Sequence, residues 1–332
     1  MEQKKVLVLG AGIMASHMVP YLADQGYKVD VYTLLDTVSD NPNIQYFKLD
    51  AKDPATRKEY LAKHYDCIVD YLQYSSAEAP FVLPELMANT DQYIYTSSGR
   101  IYDNLECPVK ETSPRLLDTS KDPYLLNSDD YCIKKARGEN IVMLNERKNW
   151  TIIRPSTIFG YMRYQLVTLE ASNTVGRAFA GKKVVLPIQA KDKPASLSWA
   201  GDAGLMIGKL VFNDKAMGEI FNINSAEYNT WGQIADYYKD ICNLQAVWVD
   251  KEDYLGILET NPFNRAKRWQ LEYARLFNRA VDNSKVLAAT GMSQSSMRLL
   301  YDGLKFEIGR TPRDTKFANS QRMDDYIAAH NL

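Results

Sequence analysis

Apolar positions in the first half of the chain fall in short runs, separated by segments of helical periodicity. Val6-Leu7-Val8-Leu9, Val29–Leu34, Ile44–Leu49, the run that begins Cys67-Ile68-Val69, Tyr93–Thr96 and Trp150–Arg154 read as six strands. Between them, Ile13–Gln25 (stopped by Gly26), a segment through Lys58–His64, Ala79–Ala88 and Tyr131–Asn145 read as helices. Pro20 inside the first helix removes a backbone donor, so it is expected to kink that helix or to lie where a carbonyl is free. Strand–helix alternation at this spacing predicts an α/β fold of Rossmann type, a doubly wound parallel sheet with helices on both faces.

The second half is less regular. It holds a short apolar run at Lys183–Pro187, a strand at Glu219–Ile223 and a helix at Trp231–Cys242. Two Arg-rich stretches follow, Phe263–Arg268 and Arg275–Arg279, then a last helical region at Ser295–Ile308, expected to serve core or dimer packing. The tail, Arg310–Leu332, is polar and is expected to pack loosely. No repeat or low-complexity linker divides the chain. The expected organisation is a first region of residues 1–160 that carries the sheet and a smaller, interleaved C-terminal α/β region of residues 161–332, parts of which return to the sheet.

Composition adds exclusions. With 332 residues, 45% of them hydrophobic, the chain can bury a large core. Forty basic and 41 acidic residues nearly cancel, leaving no general electrostatic footprint for nucleic acid. Cys67, Cys107, Cys132 and Cys242 with His17, His64 and His330 show no metal-ligand spacing, so no metal site is expected. Scattered single cysteines fit a reducing compartment. Met1-Glu2-Gln3-Lys4-Lys5 leads straight into a strand without a signal-peptide core, and no apolar stretch nears the roughly 20 residues that a membrane span needs. A cytoplasmic location without membrane contact is the expectation.

Gly10-Ala11-Gly12-Ile13-Met14-Ala15 follows a strand and opens a helix, the G-x-G-x-x-A form of a dinucleotide-binding turn. Gly10 allows the tight turn, Gly12 lets the backbone approach a pyrophosphate, and Ala15 keeps helix and strand close. The helix start at Ile13 and Met14 offers N–H groups and a partial positive charge to phosphate. The alternative is a Gly-rich turn kept for packing alone. The second strand should end in the group that reads the adenosine ribose; here that is Tyr32 or Thr33, with Asp36 a little later. The absence of Lys and Arg from Val29 to Asn41 mildly favours NAD over NADP, within an overall expectation of NAD(P). Asp50, after the third strand, either faces the adenine edge or caps a helix.

Tyr131-Cys132-Ile133-Lys134-Lys135 places Tyr131 and Lys135 four apart on one helix face. A nearby ammonium would lower the phenol's ordinary value near 10, as proton exchange at neutral pH beside a hydride transfer requires. Thr96-Ser97-Ser98 closes the fifth strand, where doubly wound sheets hold ligands. The Ser98 hydroxyl would bond a substrate oxygen there, or Ser97 and Ser98 make turn hydrogen bonds only.

Four motifs then occur in order: Gly10-x-Gly12-x-x-Ala15, Thr96-Ser97-Ser98-x-x-Ile101-Tyr102, Tyr131-x-x-x-Lys135-x-x-x-Glu139 and Ile153-Arg154-Pro155-x-x-Ile158-x-Gly160. Trp199-Ala-Gly-Asp202, Gly218-Glu-Ile-Phe-Asn222-Ile and Asp282-x-Ser284-Lys285 follow. As a set they resemble the NAD-dependent epimerase/dehydratase family, the extended branch of the short-chain dehydrogenases, over roughly residues 5–308. The resemblance implies that 1–160 binds NAD(P) and 161–332 mainly the substrate. It implies Tyr131 as acid/base, Lys135 lowering its pKa and holding the nicotinamide ribose, Ser98 orienting the reacting hydroxyl or carbonyl, and Pro155 starting the loop beside the nicotinamide. Asp202 would be structural. It further implies an epimerase or reductase acting on a sugar, as a nucleotide-sugar, and a homodimer. Gly99-Arg100 offers no Asp-Glu pair, which disfavours dehydration.

The turn is one residue shorter than the extended branch's G-x-x-G-x-x-G. The fourth strand ends in Asp70-Tyr71-Leu72-Gln73-Tyr74 where small residues are usual, similar to an atypical branch with RNA-binding members. A non-catalytic cofactor sensor or RNA-binding homologue is therefore the alternative. Arg163, Arg265, Arg268 and Arg279 are candidates for a nucleotide-sugar diphosphate. Tyr161, Tyr164 and Trp199 could stack on a base or sugar, against core or surface packing as the plainer expectation. His17 is read as packing.

Overall fold

The computed structural model describes residues 3–259, 261 and 263–332, so Met1 and Glu2 of the N-terminal segment lie outside the described residues. The first half runs β1 (Lys5–Leu9), α1 (Ala15–Asp24), β2 (Lys28–Thr33), β3 (Ile44–Lys48), α2 (Pro54–Leu61), β4 (Tyr65–Asp70), α3 (Ala79–Ala88) and β5 (Thr90–Thr96). Two single-turn helices, α4 (Leu116–Thr119) and α5 (Pro123–Leu126), precede α6 (Tyr131–Met143) and β6 (Trp150–Pro155). A seven-stranded parallel sheet forms in the order β10-β6-β5-β4-β1-β2-β3, where β10 is Glu219–Ile223. The order 3-2-1-4-5-6 within it is that of a doubly wound nucleotide-binding sheet.

Alternation along β1 splits the core. Val6 and Val8 pack with Met18, Val19 and Leu22 of α1 and with Ala203, Met206 and Ile207 on one face. Leu7 and Leu9 pack with Leu83 and Leu86 of α3 and Val142 of α6 on the other. Both faces are covered, which is why these strands read as unbroken apolar runs. Pro20 lies inside α1 on its exposed side, where the carbonyl it leaves without a donor is open to solvent.

Beyond β6 the chain forms β7 (Thr157–Phe159), α7 (Val175–Phe179), β8 (Val184–Pro187), β9 (Pro194–Trp199) and α8 (Ala200–Leu210). After β10 come β11 (Tyr228–Thr230), α9 (Trp231–Cys242), β12 (Ala246–Val249), α10 (Lys251–Leu258), α11 (Ala266–Gln270), α12 (Ser284–Thr290), α13 (Leu300–Gly309) and α14 (Gln321–Ala329). β11, β9 and β7 make a small mixed sheet, and β12 pairs with β8. A second core gathers around Trp231, Ile234, Tyr238, Leu304 and Met323. Among the described residues no helix is long and apolar enough to cross a membrane.

The expectation of a loosely packed tail is corrected. Met323 of α14 is fully buried, Asp324 pairs with the buried Arg177 at 2.7 Å, and Phe317 packs where a Cβ on Gly176 would stand. A few well-spaced apolar residues anchor a segment whose average is polar. The helix expected at Ser295–Ile308 is α13, which begins only at Leu300 because Gln294–Ser296 forms a separate 3₁₀ turn, and it is not the last, since α14 follows it.

α8 crosses α1 closely enough to need glycine. A Cβ on Gly204 would stand 2.7 Å from the Met14 carbonyl oxygen and 3.0 Å from the Met18 nitrogen, both rigid backbone. Gly204→Ala is therefore expected to cost about 1–3 kcal/mol of stability in urea unfolding. A loss well under that range would show that the two helices separate freely.

Candidate active site

The carboxyl ends of β5 and β6, the start of α1 and the start of α6 converge on one edge of the sheet. A cavity of about 510 Å³ opens there, a volume suited to a nucleotide-sized ligand. Met14, Ser98, Tyr131 and Pro155 all line it, while Arg163, Gln165, Ser196 and Arg275 close it from the second layer. Several buried polar atoms of its wall have no partner in the protein: Thr96 Oγ1, Ser97 Oγ, Ser196 Oγ, Gln165 Oε1 and Arg100 Nε. Buried polar groups are ordinarily paired, and these five are exceptions gathered around one cavity.

The phosphate turn fits a dinucleotide. Gly10 has φ +95° and donates its N–H to Tyr32 O at 2.9 Å, with Tyr71 and Leu72 of the segment after β4 close above it. At Gly12 an added Cβ would meet nothing within 4 Å, so this backbone faces open space. Met14 provides no side-chain cap, and the first N–H of the helix to find a backbone acceptor is that of Ser16, on Gly12 O at 3.1 Å. The N–H groups of Ile13, Met14 and Ala15 are thus left at a bare, partially positive helix end beside that space, where phosphate oxygens would satisfy them. The Ile13 side chain packs toward Gly160, and Ala15 is buried.

Thr33 and Asp50 lie farther out. Thr33 is buried at the end of β2, and its Oγ1 accepts the Leu35 N–H at 3.1 Å. Asp50 is exposed; its Oδ1 accepts the Lys52 N–H at 2.9 Å and its carbonyl the Asp53 N–H, so it orders the turn into α2 while Asp53 caps that helix. Asp36 is a solvated acid paired with Lys48 at 2.8 Å.

Ser98 and Tyr131 both line the cavity. Ser98 caps a 3₁₀ turn, its Oγ accepting the Arg100 N–H at 3.1 Å. Burial holds Tyr131 above the ordinary phenol value, while Ser98, Arg163 and Arg100 pull it down. Lys135 is not among the groups that act most strongly on that phenol. Lys135 is buried and donates to two carbonyls, Leu72 O at 2.8 Å and Thr96 O at 2.7 Å. Burial brings its ammonium down to about 8, partly offset by Asp70.

Asp70 is a residue the sequence did not single out. It is buried at the end of β4, accepts the Tyr93 hydroxyl at 2.6 Å and the Leu72 N–H at 2.9 Å, and burial raises its carboxyl. The available signal was an acid ending an otherwise apolar strand. Glu139, the third member of the Tyr131 motif, takes a bidentate pair from Arg154, Nε to Oε1 and Nη2 to Oε2, both at 2.8 Å. Two sequence motifs thus meet in one buried ion pair.

The arginines sort by geometry. Arg163 and Arg279 line the cavity. Arg265 instead covers the Tyr124 ring, and Arg268 pairs with Glu252 and Glu272. Arg279 spends its Nη atoms on the carbonyls of Tyr102, Asp103 and Tyr273. Arg100 and Arg275, not proposed from the sequence, line the same cavity. Tyr161, Tyr164 and Trp199 are packing residues: Tyr164 is buried, Arg310 covers Tyr161, and Trp199 lies against His17 and Arg298 and donates to Glu307 at 2.7 Å. Asp202 accepts the Arg298 N–H at 2.9 Å, a structural contact.

The profile of the NAD dependent epimerase/dehydratase family matches residues 6–187, more than half of the chain. The chain belongs to that family. Solved structures of similar fold include an epimerase from Methanothermobacter thermautotrophicus (15% identity, TM-score 0.67, covering 99% of this chain and 93% of that one). A UDP-glucose 4-epimerase from Thermotoga maritima, solved with UDP-glucose, shares 17% identity at TM-score 0.65 over 92% of this chain and 97% of that one. A UDP-glucose 4-epimerase from Thermus thermophilus, solved with NAD, shares 16% identity at TM-score 0.62 over 92% and 98%. A search of curated proteins found no match to this sequence. At these identities the structures share the family's fold.

Proposed function

We propose that the chain is an NAD-dependent epimerase or reductase that acts on a hydroxyl or carbonyl of a sugar carried as a nucleotide-sugar. The observation that carries this is the placement of Ser98 and Tyr131 in the one cavity onto which the dinucleotide turn opens through Met14. The UDP-glucose and NAD held by two of the similar structures support the ligand class. NAD is favoured over NADP because no basic side chain follows β2 before Asn41.

When bound, NAD⁺ supplies a hydride acceptor and a positively charged ring. Gly10, Gly12 and the N–H groups of Ile13, Met14 and Ala15 would hold its pyrophosphate, with Thr33 and Asp50 toward the adenosine. Pro155 and Lys135 would lie toward the nicotinamide end. Ser98 orients the substrate oxygen, and Tyr131 exchanges the proton on that oxygen. The raised phenol keeps its proton at neutral pH, so Tyr131 begins as a donor; a positive charge beside it would draw that proton off more readily. Arg100 and Arg163 act in the same direction from the substrate side.

Mass spectrometry of the denatured protein for retained cofactor, followed by titration of NAD⁺ and NADP⁺, tests the reading. Gly12→Ala adds a Cβ that meets nothing in the protein within 4 Å, so it is expected to leave folding unchanged and to weaken NAD⁺ binding on the order of tenfold. Equal NAD⁺ affinity in that variant would separate the turn from the pyrophosphate.

A further inference from the structure

β4 runs through the fully buried apolar residues Cys67, Ile68 and Val69 and then ends in an acid, Asp70, which is 1% exposed. A buried carboxylate is costly unless its oxygens and its charge are both answered. In register Asp70 lies between Leu9 of β1 and Tyr95 of β5. It therefore sits at the carboxyl edge of the sheet, between the strand that leads into the Gly10–Ala15 turn and the strand that leads to Ser98. Both oxygens accept, Oδ2 from the Tyr93 hydroxyl at 2.6 Å and Oδ1 from the Leu72 N–H at 2.9 Å, the pattern of an ionised carboxylate. The cation that acts on it most strongly is Lys135.

Leu72 links the two. Asp70 holds its N–H, and Lys135 Nζ donates to its carbonyl as well as to that of Thr96. The Leu72 side chain lies against the turn, 3.5 Å from where a Cβ on Gly10 would stand. The end of β4, the turn, the end of β5 and α6 are thus tied through one leucine and one ammonium. An ammonium has three donors, and two are spent here, which leaves one for a bound group. The other charges around Lys135 are answered elsewhere. Glu139 is held by Arg154 and Arg115, Arg115 also by Asp118, Arg100 by Asp130, and Glu85 of α3 by Arg57. Lys134, its neighbour on α6, opposes its charge, and Tyr95 presents its ring 5.1 Å from Nζ. Tyr93 and Tyr74 are kept protonated by burial and by Asp70 itself, and Tyr131, one turn earlier on α6, by burial. Asp70 is the anion left to balance the buried ammonium.

We propose that Asp70 is a positioning residue, which holds the Lys135 ammonium charged and in place at the nicotinamide end of the site, through Leu72 and through its own charge. This rests on the reading above, in which Lys135 lies toward the nicotinamide, and deepens it. An acid kept for shape alone would be replaceable by an amide. Asparagine has the same size and still accepts the Leu72 N–H, so Asp70→Asn removes the charge and keeps the turn.

The test follows NAD⁺ affinity of the full chain by calorimetry, from about pH 6.5 to about pH 9.5, in wild type, Asp70→Asn, Tyr93→Phe and Lys135→Met. Wild-type affinity is expected to fall as pH rises through the value of about 8 to which burial brings Lys135. Without the carboxylate charge that opposes this shift, the fall in Asp70→Asn is expected at lower pH, by on the order of one unit. Lys135→Met should show no fall. Tyr93→Phe breaks a hydrogen bond to Asp70 but leaves its charge, so its profile should match wild type. A fall at the wild-type pH in Asp70→Asn, the same downward move in Tyr93→Phe, or no fall in wild type overturns the proposal. Urea unfolding without cofactor repeats the test independently of NAD⁺. Above about 8 the unfolded chain binds the proton that folded Lys135 has lost, so wild-type stability, read as the difference from Lys135→Met, rises with pH toward the ordinary lysine value. That rise is expected to start at lower pH in Asp70→Asn, and an unmoved onset overturns the coupling. Should Asp70→Asn not fold, the double variant with Lys135→Met, which leaves neither charge, is expected to fold again, and persistent unfolding likewise overturns it. If the wild type binds no NAD⁺ at any pH, the dinucleotide reading fails and the unfolding series decides whether Asp70 holds Lys135. NAD⁺ binding with an unmoved fall removes the role of Asp70 alone.

Discussion

Tyr131→Phe is expected to lower turnover by about 10²–10⁴-fold while leaving NAD⁺ affinity unchanged. The phenol lines the cavity with Ser98 and can carry the substrate's proton, and its ring lies at the first turn of α6, away from the Gly10–Ala15 turn. Phenylalanine keeps the ring that Arg100 faces and removes only the hydroxyl, so packing is conserved. The rate to follow is formation of reduced nicotinamide on mixing NAD⁺-loaded protein with a panel of UDP-hexoses and UDP-uronates. A variant that turns over as wild type does would take Tyr131 out of the proton transfer. Coupled loss of NAD⁺ binding would point instead to a structural role.

Glu139→Ala is expected to cost about 3–5 kcal/mol of stability in urea unfolding, because it strands a buried charge. Arg154 and Glu139 are 3% and 0% exposed, and Arg115 adds a third contact to the same carboxylate at 3.2 Å. Arg154 also donates to Tyr102 at 2.8 Å and to the Glu111 carbonyl at 2.7 Å, so it cannot swing out to water without breaking both. Replacing the pair together, Glu139→Leu with Arg154→Met, should cost less than the single change, since no unpaired charge is left among apolar neighbours. A loss below about 1 kcal/mol for Glu139→Ala would mean that solvent reaches the pair.

The strands of the main sheet were legible because both of their faces are covered, which leaves continuous apolar runs. β7 and β11 were not, since three residues carry no measurable period. α8 was hidden by its own packing. Gly201, Gly204 and Gly208 lower its helical propensity, yet Gly204 lets α1 approach. The first residues of the site, Gly10, Gly12, Ser98 and Tyr131, stood out by spacing from strand ends and helix starts. Spacing makes Lys135 a site candidate, but no local pattern shows its ammonium bonded to the carbonyls of Leu72 and Thr96. Arg100 and Arg275 come together only when the segments after β5 and after α11 line one cavity, a relation between distant segments that no local pattern carries.

The outermost strand has a consequence for how this chain is made. β6 leaves the ribosome long before β10, with residues 156–218 between them, and until Glu219–Ile223 arrives the edge bearing Ile152 and Ile153 lacks its final neighbour. An unpaired apolar edge is a template for pairing with other chains. The nascent protein must therefore shelter that edge through most of its synthesis, and a fragment ended near residue 160 would keep it bare for good. The first half of the chain is thus not a portable unit: its sheet is closed by a strand borrowed from downstream.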